Sequence, residues 1–333
     1  MVRLLGSGDV RSLIDLTDLL DVIEVAFGKQ AAGAVERPDR PHFPVGIGLD
    51  AARPSEPLGT GLVMPAYIHG EPYYVTKLVG VFERNPERGL PTVPAQVVVN
   101  DAETGLPLAF VDGTYVTAAR TACVGGLSAR ALTTGPVDVT VIGAGMQGRW
   151  QARAVEAAVE VESITLVDID ESTLEDAVTE LRSALDCSIS RADDVGTAVG
   201  SADVVVTATT SSTPVFTGTD LTDGTVVVAI GAYSEAMQEI GTDTFDRAGR
   251  VFADVPAEVA RIGDIRKAGI DEADLLPFAT VFEGDARPVS DNEIVVVESV
   301  GSAVMDAAAA GYVYDRAVEA DAGFDCPANK VWP

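Results

Sequence analysis

The segment Val137-Asp-Val-Thr-Val-Ile-Gly-Ala-Gly-Met-Gln-Gly148 has the residue types and spacing to hold a dinucleotide pyrophosphate. Val137, Val139, Val141 and Ile142 spell a buried strand. Gly143 permits the tight turn that follows, Gly145 lets backbone come close to phosphate, and Gly148 lets the new helix pack closely on the sheet. The N–H groups of that helix's first turn, at Met146 and Gln147, then face the anion. A lone G-x-G-x-x-G is a weak signal. The strand before it and the helix Gln151-Ala-Arg-Ala-Val-Glu-Ala-Ala after it supply the required context. A second apolar strand, Ile164-Thr-Leu-Val, ends at Asp168. An acidic side chain there accepts hydrogen bonds from ribose hydroxyls and repels a 2′-phosphate, so NAD is expected rather than NADP.

Lys77 is the second chemical signal. Tyr73, Val75, Lys77, Val79 and Val81 share one strand face, because side chains alternate. A lysine in such an apolar row is costly to bury unless an anion pairs with it. It reads as a pocket cation for a substrate carboxylate; the competing reading is an edge-strand lysine snorkelling to water. Arg120 reads as lying in the first turn of a helix capped by Thr117, where the macrodipole disfavours a cation. An anion held between guanidinium and helix N-terminus resolves that conflict, and a surface pair with Asp112 is the alternative.

The loops that follow two further strands complete the set. Val206-Thr-Ala-Thr-Thr-Ser-Ser-Thr-Pro214 carries Thr207, Ala208 and Thr209, and Val228-Ala-Ile-Gly-Ala-Tyr233 carries Ile230, Gly231 and Tyr233. Ligands of open parallel sheets bind beyond the carboxyl ends of the strands, so both loops are expected near the nicotinamide half of the cofactor.

Positioning these residues takes two kinds of domain. An amphipathic helix is expected from Asp15 to Gly33, with Leu19, Leu20, Ile23, Ala26 and Phe27 on one face. Loops rich in Pro and Gly follow, then a strand at Tyr73–Phe82 and a hairpin around Asp101-Ala-Glu-Thr-Gly105. A helix to about Leu132 leads into the glycine-turn strand. Strands near Ile164, Cys187, Asp203, Thr225 and Arg250 then alternate with helices, as a doubly wound α/β fold requires, and Ile294-Val-Val-Val-Glu298 reads as the last. An alanine-rich helix from Ser302 to about Ala320 can return to the first domain.

The 333-residue chain is long enough for two cores, and its 47% hydrophobic content suits them. Its charge is unusual: 51 acidic residues against 23 basic ones, net −28, with lysine only at positions 29, 77, 267 and 330. Nucleic acid and anionic membranes are disfavoured as partners. A dispersed acidic excess with so little lysine suits a surface adapted to high salt, where screening relieves self-repulsion. Cys123, Cys187 and Cys326 are too scattered for a disulfide framework, and neither His42 nor His69 has a partner at metal-ligand spacing. No metal is expected. No apolar run approaches a membrane span, and a soluble cytoplasmic protein is expected.

With these residues assembled, the chain resembles the ornithine cyclodeaminase/mu-crystallin family over nearly its whole length. The matching segments include Met64-Pro-Ala-Tyr, Lys77-Leu-Val, Gly89-Leu-Pro-Thr92, Asp112-Gly-Thr-Tyr-Val-Thr-Ala-Ala-Arg-Thr121, Gly143-Ala-Gly-Met-Gln-Gly148, Val167-Asp-Ile-Asp170, Ala229-Ile-Gly-Ala232 with Glu239, and Glu298-Ser-Val-Gly301. The resemblance implies a Rossmann domain, here 119–307, and a discontinuous α+β domain, 1–118 with 308–333, whose sheet forms a homodimer. It places Lys77 and Arg120 on the substrate carboxylate, with Met64 beside them. The expected cofactor residues are Thr92, Arg120, Thr121, Gly143, Gly145, Met146, Gln147, Gly148, Asp168, Ile169, Thr207, Ala208, Thr209, Ile230 and Gly231.

Two departures direct the functional expectation. Ammonia-releasing cyclodeaminases of this family place an aspartate where this chain has Tyr233. Leu62 stands where they have a glutamate and where related alanine dehydrogenases have an arginine. A phenol is a poor general base at neutral pH. The first expectation is therefore an NAD(H)-dependent oxidoreductase acting on a small 2-imino or 2-amino carboxylate, with Lys77, Arg120 and Tyr233 as its catalytic set. The second is a cyclodeaminase forming proline from ornithine, and the third a non-catalytic NAD- and ligand-binding protein.

Overall fold

The alternation of buried and exposed side chains along Tyr73–Val81 and the unbroken buried run Val204–Thr207 belong to two different sheets. The computed structural model describes residues 1–282 and 293–327. In chain order its elements are β1 (Val2–Leu5), α1 (Ser7–Leu13), α2 (Leu16–Ala31), β2 (Val35–Glu36), β3 (His42–Val45), β4 (Gly59–Ile68), β5 (Tyr73–Val81), β6 (Ala95–Asp101), β7 (Pro107–Asp112), α3 (Gly113–Leu132), β8 (Val137–Ile142), α4 (Met146–Ala158), β9 (Val161–Val167), α5 (Glu171–Arg182), β10 (Ser188–Arg191), α6 (Val195–Gly200), β11 (Val204–Thr207), β12 (Val226–Ala229), α7 (Thr242–Arg247), β13 (Ala248–Ala253), α8 (Pro256–Val259), α9 (Gly263–Ala268), β14 (Leu276–Pro277), β15 (Ile294–Glu298), α10 (Ala303–Glu319) and β16 (Phe324–Cys326).

The chain divides into two compact units. Unit 1 comprises Met1–Asp15, Gly28–Arg120 and the chain from Ala303 onward; unit 2 comprises Leu16–Phe27 and Thr121–Ser302. In unit 1 the strand order is β16-β1-β7-β6-β5-β4-β2, with β3 also paired to β4. β4 to β7 form an antiparallel meander. α10 lies on one face of this sheet. Tyr73 stacks edge-on against Tyr314 of α10, and a Cβ on Gly311 would lie 3.3 Å from the Tyr73 ring. The face under α10 carries Val75, Lys77, Val79, Val97, Val99, Ala109 and Val111, all buried.

The sheet of unit 2 is parallel throughout, in the order β10-β9-β8-β11-β12-β15-β13-β14. β11, β12 and β15 are buried at every position, which explains their unbroken Val-rich sequences. This is the α/β class expected from the sequence. β15 is the last strand of this sheet in sequence, yet it sits between β12 and β13.

Two local expectations need correction. α3 begins at Gly113, not near Ala118, because Asp112 is its cap: the carboxylate accepts the N–H groups of Thr114 and Tyr115 at 3.1 and 3.3 Å. Arg120 is therefore two turns inside the helix, so the macrodipole argument for an anion at its N-terminus does not apply. Asp112 is occupied as a cap and is not the partner of Arg120. The second concerns Leu16–Phe27, which groups with unit 2 rather than with the first domain. Its Phe27 ring packs edge-on against Phe278 at 4.9 Å, and Leu20 packs over Gly126 so closely that a Cβ there would lie 2.8 Å away.

Candidate functional site

In unit 2 the glycine turn joins β8 to α4. Gly143 has φ of 101°, a conformation that needs glycine, and a Cβ on it would lie 2.5 Å from the Ala208 carbonyl oxygen. Gly148 allows α4 to close on the turn, since a Cβ would stand 1.8 Å from the Gly143 carbonyl oxygen. Gly145 differs from both. Its φ of −68° suits any residue, and nothing of the protein lies within 4 Å of where its Cβ would be. The fold therefore does not demand glycine at 145, and the open space over its backbone suits a ligand lying against it. Gly145 also caps α4 without a side chain, and the first turn holds no acidic residue, which suits an anion at this helix end. A dinucleotide pyrophosphate fits these features.

Asp168 follows β9 and is half-buried. One carboxylate oxygen accepts the Ala144 N–H at 2.7 Å and the other accepts the Asp170 N–H at 2.9 Å. The acidic side chain is thus oriented against the glycine turn, and the neighbouring Ile169 is fully exposed. The loops after β11 and β12 meet at this same sheet end. Ala208 N–H donates to the Ile142 carbonyl, and a Cβ on Gly231 would lie 2.2 Å from the Thr209 carbonyl oxygen. Gly143, Gly145, Met146, Gln147, Gly148, Asp168, Ile169, Thr207, Ala208, Thr209, Ile230 and Gly231 thus belong to one end of one sheet. Tyr233, two residues beyond Gly231, is half-buried against the core beneath it. Thr121 is buried in α3, and its carbonyl accepts from the Gln151 amide at 3.1 Å. Thr92 lies in unit 1, where its carbonyl accepts the Phe82 N–H.

The loops are held by a side chain that sequence reasoning noted only as a family match. Glu239 accepts the N–H of Thr209 and the N–H of Gly231, both at 2.6 Å, and so straps the two loops together. Behind it lie three more carboxyls. Asp264 accepts the N–H groups of Glu239 and Ile240 at 2.8 and 3.0 Å; Asp254 accepts the Ser299 hydroxyl and the Gly301 N–H, each at 2.7 Å. Glu298, at the end of β15, is buried with Oε1 unpartnered among the described residues. Burial raises the Glu239 carboxyl against the pull of its N–H donors. Burial also pushes Asp264 up to about 7 and, with Asp264, Glu239 and Asp254 adding to it, holds Glu298 well above the usual range.

In unit 1 the cations sit deep. Lys77 is 1% exposed and Arg120 4%. β5 runs between β4 and β6, so the edge-strand alternative for Lys77 is excluded. Both cations converge on Asp306 of α10, which is fully buried: Lys77 Nζ lies 2.8 Å from its carboxylate and Arg120 Nε donates to it at 2.9 Å. Burial pulls the Lys77 ammonium down to about 8; Asp306 opposes this, while Arg120 and Arg40 add to it. Burial alone would raise Asp306, but Arg120 and Lys77 outweigh it and hold the carboxyl below its usual range. Two cations and one carboxylate leave one buried positive charge. Arg120 Nη1 is buried and finds no acceptor among the described residues. An unpaired charged donor in a dry site is unfavourable, and a ligand carboxylate relieves it. Around Lys77 the sheet face is apolar: Met64 and Val97 are its register partners, with Leu62 and Val79 one step along.

Sequence reasoning missed Asp306 and Arg40. An aspartate in an alanine-rich helix has no distinguishing pattern, and Arg40 lies in a Pro-rich segment that reads as loop.

The ornithine cyclodeaminase/mu-crystallin family model matches residues 3–321. The chain belongs to the ornithine cyclodeaminase/mu-crystallin family. Within reach of this family, it is 30% identical to an alanine dehydrogenase of Archaeoglobus fulgidus over 332 residues, 96% of each chain. Among solved structures it is similar to the Delta(1)-pyrroline-2-carboxylate reductase of Thermococcus litoralis in complex with NADH and L-proline, with TM-score 0.90, 27% identity and coverage of 98% and 100% of the two chains. It is also similar to an archaeal alanine dehydrogenase dimer with bound NAD, with TM-score 0.87, 28% identity and coverage of 98% and 99%.

Two predictions follow from this geometry. Gly145→Ala should fold with a melting temperature close to that of the parent but bind NAD at least about tenfold more weakly, whereas Gly148→Ala should lower the melting temperature itself. Thermal unfolding and NADH fluorescence titration separate the two; a destabilised Gly145→Ala contradicts the reading. The second concerns pH. A carboxyl raised in the folded state favours folding while protonated, and that contribution is lost as pH rises toward its folded value. The unfolding free energy should therefore decline between about pH 5 and about pH 7, the latter the folded value of Asp264. Asp264→Asn, which keeps an acceptor oxygen, should flatten that decline in denaturant titrations.

Proposed function

We propose that this protein is an NAD(H)-dependent oxidoreductase that reduces a small 2-imino carboxylate to the corresponding amino acid, or runs the reverse reaction. The observation that carries this reading is Arg120 Nη1, unpartnered among the described residues, beside Lys77 and Asp306, a buried site with one positive charge to spare. That charge suits a monocarboxylate. The apolar floor of Met64, Leu62 and Val79 suits a substrate whose remainder is small and uncharged. It offers no carboxylate for the second amine of a diamino acid. Alanine dehydrogenase and pyrroline-2-carboxylate reductase relatives support the same chemistry.

In this reading Lys77 and Arg120 bind and orient the carboxylate. NAD(H), when bound, supplies or accepts the hydride. The glycine turn, with the N-terminus of α4, would hold its pyrophosphate, Asp168 its ribose, and the loops strapped by Glu239 its nicotinamide half. A protonated iminium is already electrophilic, so the reduction needs little acid catalysis beyond positioning. Tyr233 is the candidate for orienting the substrate nitrogen or relaying its proton. Leu16–Phe27 aside, the substrate and dimerisation domain is residues 1–118 with 308–333, and the NAD-binding domain is 119–307.

The protein is further proposed to work as a homodimer. On the face of the unit 1 sheet away from α10, Phe324, Leu4, Phe110, Val98, Thr76 and Pro65 stand in register across six strands. Leu4, Phe110 and Phe324 are exposed there, and exposed apolar surface of this extent marks an association site. One similar structure is itself a dimer. The net charge of −28 supports adaptation to high salt, and a requirement for NAD(H) supports a cytoplasmic setting. No helix among the described residues is long and apolar enough to cross a membrane.

The test is a panel of 2-keto acids with ammonia or methylamine, cyclic imines and ornithine, followed by NADH absorbance in molar KCl. Net NADH oxidation with an imino carboxylate is expected. Proline and ammonia from ornithine without net NADH change would instead identify a cyclodeaminase. Lys77→Ala and Arg120→Ala should each lose about 100-fold or more in kcat/KM, and Asp168→Ala should relax selectivity against NADP. Sedimentation and melting curves test the assembly: Leu4→Glu with Phe110→Glu should give monomers, and the parent should melt lower in dilute buffer than in molar KCl.

A further inference from the structure

Among the described residues Asp306 is the one group that touches both Lys77 and Arg120, and it comes from an element that carries no sequence signature of function. Lys77 reaches it from β5 and Arg120 from α3, across 229 and 186 residues of chain. The groups facing Lys77 can be named from every side. α10 contributes Asp306. α3 contributes Arg120 and the Thr117 hydroxyl, 3.4 Å from Nζ, and the segment before β3 contributes the charge of Arg40. The paired positions on β4 and β6, Met64 and Val97, are apolar. Lys77 therefore faces one anion and two like charges.

Without a carboxylate, Lys77 and Arg120 would be buried like charges, each disfavouring the charged form of the other, and the lysine is the one able to shed its proton. A neutral lysine holds no carboxylate. Asp306 also engages the guanidinium at Nε, and Nη1 has no acceptor among the described residues.

We infer that Asp306 is a positioning residue: its carboxylate keeps Lys77 charged and turns the Arg120 guanidinium so that its Nη1 receives the carboxylate of the substrate. This rests on the proposed binding of a substrate carboxylate by Lys77 and Arg120. It adds a role for α10 that neither cation alone supplies.

The experiment exploits the four lysines of the chain. In protein labelled with 13C at lysine Cε, four resonances are expected, and Lys77→Met assigns the one of interest. In the parent this resonance should titrate near 8. In Asp306→Asn its midpoint should fall by at least about one pH unit, because burial and Arg120 remain while the compensating charge is gone. Asp306→Glu restores the charge but displaces it by a methylene: the midpoint should return close to that of the parent, while KM for the carboxylate substrate stays raised. In turnover assays the alkaline fall of kcat/KM in Asp306→Asn should move to lower pH by the same amount as the NMR midpoint. The change should lie mainly in KM at neutral pH. A merely structural role would lower the folded fraction at all pH values and leave the Lys77 midpoint in place.

An unchanged midpoint in Asp306→Asn overturns the inference, as does a parent-like KM in Asp306→Glu. Should Asp306→Asn not fold, the Asp306→Glu midpoint and KM decide the matter. Absence of turnover with every imino carboxylate, alongside a shifted midpoint, would sink the functional reading and the substrate half of the inference, while leaving Asp306 as the group that keeps Lys77 charged.

Discussion

Burying two cations in one apolar site is the constraint around which unit 1 is arranged. Lys77 and Arg120 are both almost fully inside, and removing the partner of such a charge destabilises a protein by about 3–5 kcal/mol. A single carboxylate, Asp306, answers both. The answer has a remainder: among the described residues, one carboxylate against two cations leaves a net charge and an unpartnered guanidinium nitrogen. Stability alone would favour a neutral apolar cluster of the same volume, so the remainder is the feature that points to binding. The meander β4–β7 supplies the lysine, α3 supplies the arginine, and α10 is held against the sheet by the Tyr73–Tyr314 contact and by the Asp315 carboxylate, which accepts the Tyr73 hydroxyl at 2.6 Å.

Unit 2 solves the opposite problem. Its carboxyls gather at the carboxyl end of a parallel sheet with few cations beside them, and burial raises Glu239, Asp264 and Glu298 above the usual carboxyl range. Glu239 is stabilised by two backbone N–H donors, which is also what fixes the loops after β11 and β12. The same side chain therefore sets the geometry of both loops and belongs to the acidic cluster. The two units handle charge with different means, counter-ions in one and backbone N–H donors in the other.

Much of this was legible in the sequence, and the reasons are specific. The glycine turn is a short-range signal: Gly143 and Gly148 are dictated by contacts with residues of the turn, the strand before it and one neighbouring loop. Short Val-rich runs point to strands buried on both faces because β-branched side chains suit a pleated sheet better than a helix. Lys77 stands out because alternation places it on an apolar face. The start of α3 was not legible, since Asp112 and Thr117 are both good caps and only the observed bonds to Thr114 and Tyr115 decide between them. Asp306 was illegible for a deeper reason. Nothing in Ala303–Glu319 distinguishes it from a solvent-facing aspartate, and its partners lie nearly two hundred residues or more away. Glu239 could have been read further: a glutamate ten residues after a strand, matched to the family, with two glycine- and threonine-rich loops in need of an anchor.

The discontinuity of unit 1 has a consequence for the order in which the chain acquires structure. β5 and the first half of α3 are synthesised early, but the helix bearing Asp306 follows the whole of Thr121–Ser302. Until α10 emerges from the ribosome, Lys77 and Arg120 have no carboxylate to meet, and the face of the sheet that α10 covers stays open. Unit 2 closes mostly on itself, from segments that, Leu16–Phe27 aside, are contiguous. The order of synthesis therefore completes the segments of unit 2 before α10 can close unit 1, a closure between residues far apart in the chain.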